Sequence, residues 1–324
     1  MKLSRKQFLT LAGAAALTKP SLPLAQDTNM VISRIKFVTI GAPSVDAVER
    51  WYTTWLGHRV VEKSTVSAEM ANSWGTPAAA GRPFVLLQPA TGEDVLIRAV
   101  EVEPIDGYKA MTTWGWNSFE IIVNDPDDLH ERMKTSPFRH IGGPANLGGG
   151  TSSIRAVQYV GPAEEVLYFN SETGDRSESA LPDPGEDVGR TNIVILASGS
   201  VDDTMAFYSA AFSMPKGFSF PTPVDIIAKA QGLPDDHSFT MGIGWLRERG
   251  NAIEFDGYPE GTGPRPRANG HLPQGNAMVT FNVDSLDAVN VNFVSAPITE
   301  YGGKRSAVFT GPAGEMVELI EDAR

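Results

Sequence analysis

Two carboxylates stand where a carboxylate is costly. Glu254 lies in Gly250-Asn251-Ala252-Ile253-Glu254-Phe255 and Glu318 in Gly314-Glu315-Met316-Val317-Glu318-Leu319-Ile320, each four residues after a glycine and inside an apolar run. An ionised carboxylate in such a strand must be paired, or bound to a cation. Converging on one site, the two could hold Mg²⁺, Mn²⁺ or Ca²⁺ with waters and substrate oxygens. One divalent metal ion of open identity is therefore the expected cofactor, with no other implied. The alternative is that each Glu faces solvent or meets an arginine such as Arg247. A second constellation centres on His140, in Arg139-His140-Ile141-Gly142-Gly143. An imidazole acts as general base when a neighbour sets its tautomer and pKa. Glu120 and Tyr168 are the candidate neighbours, and the three together could abstract a proton without metal. The opposing reading is a half-buried histidine bonded to backbone.

The elements that must carry these residues repeat. Val31 to Ile40 alternates and is rich in β-branched residues, as a strand does. Ser44 can cap a helix reaching Leu56, with Val45, Val48, Tyr52 and Trp55 on one face. Strands follow from His58, over Pro83 to Gln88 and over Asp94 to Val102. The same β-α-β-β-β order recurs from Asn117, with Asp125 capping a helix that opens on Pro126, and from Thr191, with Ser200 capping a helix that carries Val201, Met205, Tyr208 and Phe212. It recurs a fourth time from Ala277, with Asp284 capping a helix that carries Leu286, Val289 and Phe293. The Gly-to-strand phrase closes each copy, with Leu96, Tyr168, Glu254 and Glu318 in the same place. Four similar strand endings in one chain point to an internal repeat, which governs the whole architecture.

A strand, a helix with an aromatic pair such as Trp51-Tyr52 before Leu56-Gly57, then three strands ending in Gly-x-x-x-Glu resembles the vicinal oxygen chelate superfamily, which includes glyoxalase I, bleomycin-resistance proteins and extradiol dioxygenases. The resemblance covers nearly all of residues 30 to 324. It implies an α+β fold of four βαβββ units in two tandem modules with cupped mixed sheets, metal and substrate lying in the cup. The division expected is units one and two in a first domain (30–172), a Ser/Asp/Pro/Gly-rich linker (173–189), and units three and four in a second (190–324). Carried onto this chain, the family's first-strand histidine position falls on Phe37, Ser118, Ile193 (or Asn192) and Met278, none of them histidine. The carboxylate position keeps Glu254 and Glu318 only. Phe37, Trp116, Ser118 and Met278 are then candidate substrate contacts. Trp51, Trp55, Trp74, Trp114 and Phe119 could add walls suited to a flat apolar ligand, or serve as core.

Composition sets outer limits. Apolar content of 41% with 20% charged residues is that of a globular chain with room for two domains. A net charge of −12 argues against nucleic acid or anionic membrane as partner. No cysteine is present, which excludes thiolate chemistry and disulfides. Residues 1–26 have a basic start (Lys2, Arg5, Lys6) and an apolar run from Phe8 to Leu17, as an export signal does, and Ser4-Arg5-Lys6-Gln7-Phe8-Leu9 resembles the twin-arginine motif. Export to a bacterial periplasm, by that route or the general secretory one, is expected, with a cytosolic leader as alternative. No later stretch suits a membrane span. The run Leu147 to Thr151 reads as a mobile loop and not a phosphate loop, since it lacks the lysine and precedes a strand. Two functions stand: an enzyme acting on a small aromatic or oxygenated metabolite as lyase, isomerase or dioxygenase, or a metal-free binder that sequesters a small molecule. Retained carboxylates favour the first. Cups form within one chain or across a homodimer.

Overall fold

A computed structural model describes residues 29–147 and 153–322. The leader and the glycines 148–150 therefore lie outside the described residues. Unit one comprises β1 (Ile32–Ala42), α1 (Val45–Trp55), β2 (Arg59–Thr65), α2 (Ala68–Ser73), β3 (Pro83–Gln88) and β4 (Leu96–Glu101). Unit two has β5 (Gly115–Val123), α3 (Pro126–Met133), β6 (Arg139–Asn146), β7 (Ile154–Val160) and β8 (Val166–Glu172). Unit three has β9 (Val188–Ser198), α4 (Val201–Phe212), β10 (Ser219–Pro223), α5 (Asp225–Gln231), β11 (Ser238–Trp245) and β12 (Ala252–Gly257). Unit four has β13 (Gly275–Val283), β14 (Ile298–Glu300), β15 (Lys304–Thr310) and β16 (Met316–Glu321).

The fold class matches the expectation, and the grouping of units corrects it. One eight-stranded sheet runs β14-β15-β16-β13-β1-β4-β3-β2 and the other β10-β11-β12-β9-β5-β8-β7-β6. Unit one thus shares a sheet with unit four, and unit two with unit three. The seams are antiparallel pairs of first strands, β1 with β13 and β5 with β9. The polar stretch that reads as an interdomain linker instead joins β8 to β9 within one sheet. Chain order cannot reveal this, because all four first strands are equally apolar and any two could pair.

The caps behave as read for three helices. Ser44 Oγ accepts from the Ala47 N–H, Asp125 from Asp127 and Asp128, and Ser200 from Asp203. The fourth helix is not there. Ser285 caps a single 3-10 turn, Leu286–Ala288. The sequence beyond it, Val289-Asn290-Val291-Asn292, is poor in helix formers, so one turn is all it sustains. Two short helices went unread: α2 and α5 are six and seven residues long, too brief for periodicity to show.

One large core joins both sheets. It takes α1, α4 and the inner faces of β1, β5, β9 and β13, with Tyr52, Phe119, Tyr208, Phe212 and Phe281 fully buried. The aromatic pairs have a specific job there. Tyr52 OH donates to Glu165 Oε1 at 3.1 Å, and Tyr208 OH to Glu315 Oε1 at 2.9 Å. Each Glu also accepts its own turn's N–H, from Ala163 at 2.7 Å and Ala313 at 2.8 Å. So the helix of units one and three clamps the Gly-Pro-Ala-x-Glu turn of the next unit. A Cβ on Gly161 or Gly311 would lie 1.9 Å from the carboxylate. Gly311→Ala is expected to lower stability by about 1–3 kcal/mol in urea unfolding, the range for overpacking. Gly263→Ala, whose Cβ meets open space, should change it little.

Candidate functional site

Strand register, more than counting from a glycine, decides which residues correspond. In β1 and β4, Phe37 pairs with Leu96 and Thr39 with Arg98. In β13 and β16, Met278 pairs with Met316 and Thr280 with Glu318. The residue of unit one matching Glu318 is therefore Arg98, not Leu96. The turn at Gly92 is longer than the others and displaces the count by two.

Inside the cup of units one and four the two meet. Arg98 and Glu318 form an ion pair at 2.8 Å with both side chains 2% exposed. Glu318 Oε2 also accepts from Thr280 Oγ1 at 2.6 Å, and Oε1 accepts from Trp74 Nε1 at 2.9 Å and Tyr301 OH at 2.7 Å. The guanidinium donates further to Thr39 Oγ1 at 3.0 Å and Tyr301 OH at 2.7 Å, and lies 5.1 Å from the Phe37 ring and 4.7 Å from that of Trp74. Burial alone would push the Glu318 pKa up; the adjoining cation and three further donors hold it below the ordinary carboxylate value. The rest of this cup is packed solid. Val66, Met70, Ala71 and Trp74, brought in by α2, fill it against Met278, Val308 and Met316. Phe37 and Met278 are thus packing residues here.

The cup of units two and three has the opposite character. Glu120 is 3% exposed and Asp256 1%, and Glu254 is half-buried on the same strand and face as Asp256. Glu120 lies beside Tyr168 in parallel register, as its strand parity implies, and Asn170 donates from Nδ2 to Glu120 Oε2. No Lys, Arg or His within the described residues forms an ion pair with any of the three carboxylates. Burial pushes Glu120 up to about 7, with Asp256's charge adding to it and Asn170 pulling back. Burial likewise takes Asp256 to about 7 against the pull of Asn117, and Glu254 rises well above its ordinary value through burial and its two acidic neighbours. Tyr168 and Tyr258 are raised by burial and then Asp256, so both remain protonated donors. Asp256 Oδ1, Tyr258 OH and Ser118 Oγ are buried without a partner. Walls come from Ile193, Ile195, Ile226 and Phe239, with half-buried Ile141, Ile243 and Trp245.

Three expectations about these residues are corrected. Glu254 and Glu318 lie in different sheets, because units three and four do not share one, and cannot hold one ion. His140 does not join Glu120 and Tyr168. In β6 and β7 it pairs with Tyr159, while Gly142 pairs with Gln158, and the cup-facing row is Gln158, Tyr168, Glu120. His140 therefore sits on the opposite face, exposed, its Nε2 2.9 Å from the Gly142 and Gly143 carbonyls and its ring 4.6 Å from His130. Trp116 is core: a bulge between Trp116 and Ser118 flips its parity, and its Nε1 donates to Met316 O at 2.7 Å. Arg247 meets Asp284, not a strand glutamate. The residues missed, Arg98, Asp256 and Tyr258, carried a readable signal. Arg98 is a charge set into an apolar strand, as Glu318 is, and Asp256 follows Glu254 by two on the same face of β12.

No protein-family model matches the chain, and no curated protein matches it in sequence. Among solved structures it is similar to glyoxalase I from Zea mays at 16% identity, over 89% of this chain and 92% of that one, with a TM-score of 0.61. It is also similar to a candidate dioxygenase from Bacillus subtilis at 12% identity, over 90% and 86%, with a TM-score of 0.56. The chain has the vicinal oxygen chelate fold, built from four units in two cups. The one divalent ion that the sequence led us to expect cannot be shared by Glu254 and Glu318, which lie in different sheets. Both oxygens of Glu318 are already bonded, and among the described residues no group of three or more His, Asp or Glu side chains is arranged to hold an ion.

Two outcomes follow from these contrasting cups. Arg98→Ala leaves Glu318 buried and uncompensated, and should cost about 3–5 kcal/mol in chemical denaturation, with Arg98→Met/Glu318→Leu recovering most of it. Glu120 and Asp256 have folded pKa values near 7 against ordinary values of 4.5 and 3.8. The folded state therefore binds more protons at these two groups between these limits, so their contribution to stability is full below about pH 4 and is lost as pH rises through about 7. Glu165 and Glu315, also pushed up to about 7 by burial, add the same sign. Glu120→Gln/Asp256→Asn should flatten the melting-temperature decline over this window. An unchanged slope would show that the cup does not generate it.

Proposed function

We propose that the chain is an enzyme of the vicinal oxygen chelate fold whose working cup is that of units two and three. It moves a proton on a small, partly apolar, oxygenated metabolite, as a lyase or isomerase does, with side-chain carboxylates doing the acid–base work. The observation that carries this reading is the buried, ion-pair-free cluster of Glu120, Glu254 and Asp256, with two members near 7. Carboxylates whose surroundings push the pKa towards working pH are suited to general acid–base catalysis. Glu120, oriented by Asn170, takes a proton from a carbon next to a carbonyl. The electron pair moves onto the carbonyl oxygen, which receives hydrogen bonds from Tyr258 OH and protonated Asp256. In an α-hydroxycarbonyl substrate the hydroxyl proton passes to the former carbonyl oxygen while Glu120 returns its proton to the former carbonyl carbon, completing an isomerisation. Where a leaving group stands on the β-carbon, the electron pair returns to form the Cα–Cβ double bond as the bond to that group breaks, and the departing group takes the proton from Glu120.

The expected readout is deuterium wash-in from D₂O, followed by NMR with hydroxyacetone and phenylacetaldehyde as first probes. Glu120→Gln should slow it by at least about 100-fold, in the range for loss of an acid–base group. The rate should peak near pH 7, rising as Glu120 ionises and falling as Asp256 loses its proton, and be insensitive to EDTA. Saturable binding with no exchange above buffer would instead favour a sequestering protein, which the apolar walls at Ile141, Ile243 and Trp245 also suit. Export is part of the proposed setting: residues 1–26 fused to a reporter should deliver it to the periplasm, and cytoplasmic retention would overturn that. No helix of the described residues is long and apolar enough to cross a membrane.

A further inference from the structure

We propose that the chain has a second ligand site, apart from the acid cluster of the cup, that takes a small organic cation. A pocket of about 640 Å³ lies where the end of β9, the start of α4, the segment after β12 and the turn before β16 meet. Trp114, Ser198, Asp203, Tyr258, Glu260 and Pro312 are among the residues that line it, and neither Glu120, Glu254 nor Asp256 is.

The indole of Trp114 forms a fixed wall. Its Nε1 donates to Thr262 Oγ1 at 2.8 Å, its backbone N–H donates to Gly263 O at 2.8 Å, and a Cβ at Gly199 would lie 2.7 Å from its ring. One hydroxyl on a lining residue that the cup does not use has no partner: Ser198 Oγ, on a residue 3% exposed. Buried hydroxyls are rarely left unpaired unless something fills the space beside them. The charged side chains in the lining are Asp203 and Glu260 alone, with no Lys, Arg or His. A helix start ordinarily favours anions. Here Asp202 and Asp203 already occupy the first turn of α4, so an incoming anion meets like charge. An ammonium group is instead attracted by two carboxylates and an aromatic face, and its N–H groups suit the free Ser198 oxygen.

The test uses the full chain and three probes of one shape: benzylamine, benzyl alcohol and benzoate, titrated calorimetrically at neutral pH and low salt. Benzylamine should bind one-to-one, at least tenfold more tightly than benzoate. Asp203→Asn/Glu260→Gln should weaken benzylamine at least tenfold, and raised salt should do the same in part. Glu120→Gln should leave its affinity unchanged, so this site and the catalytic reading can fail separately. Absence of saturable benzylamine binding, equal binding of benzoate, indifference to the Asp203/Glu260 double variant, or loss in Glu120→Gln would each overturn the proposal.

Discussion

A carboxylate enclosed by an apolar sheet has three ways to be tolerated: a fixed countercharge, a full set of donors, or a proton. The two cups of this molecule divide on that choice. Around Glu318 the first two are met together, by Arg98, Trp74, Thr280 and Tyr301. Nothing about that arrangement invites a ligand, since no lone pair is spare and α2 has filled the remaining volume. Around Glu120 and Asp256 neither is met in full, so the proton is left as the solution. The same fold therefore encloses one carboxylate in a full set of partners and leaves others raised towards neutrality, the contrast on which our proposal rests.

The repeat explains how one cup could be released from the other's duties. The inward rows of the four last strands carry Arg98, Tyr168, Glu254 and Glu318 at one level and, at the next, Val100, Asn170, Asp256 and Ile320. Polar character at the second position is confined to units two and three, which share a sheet. The structural load is carried elsewhere, by the Tyr52–Glu165 and Tyr208–Glu315 clamps. Those buried carboxylates are pushed up to about 7, as Glu120 and Asp256 are, yet each is bonded to a tyrosine and to its own turn. They illustrate why a raised pKa alone does not mark a site; the cup differs in that Asp256 Oδ1 has no hydrogen-bond partner.

The likeness to glyoxalase I at 16% identity fits this division. What persists at such distance is the order of elements and the apolar character of central strands, which packing demands. Here Arg98, from the matching strand, supplies the charge that balances Glu318.

Much of the architecture could be read in the chain itself. The four units, three of the four helix caps and the inward parity of Glu120 follow from periodicity, cap chemistry and alternation, all of which are local. The costliness of Glu318 was equally legible, though not its solution. Which units share a sheet was decided by tertiary structure, because pairing among four similar apolar strands depends on the whole assembly. That choice separated Glu254 from Glu318 and brought Arg98 to Glu318 across 220 residues. The bulge at Trp116 and the long turn at Gly92 each shifted register by an amount no local pattern encodes. So the sequence by itself determined the kinds of groups available and the faces they occupy, while only the folded sheet decided which charges meet and which are left to hold a proton.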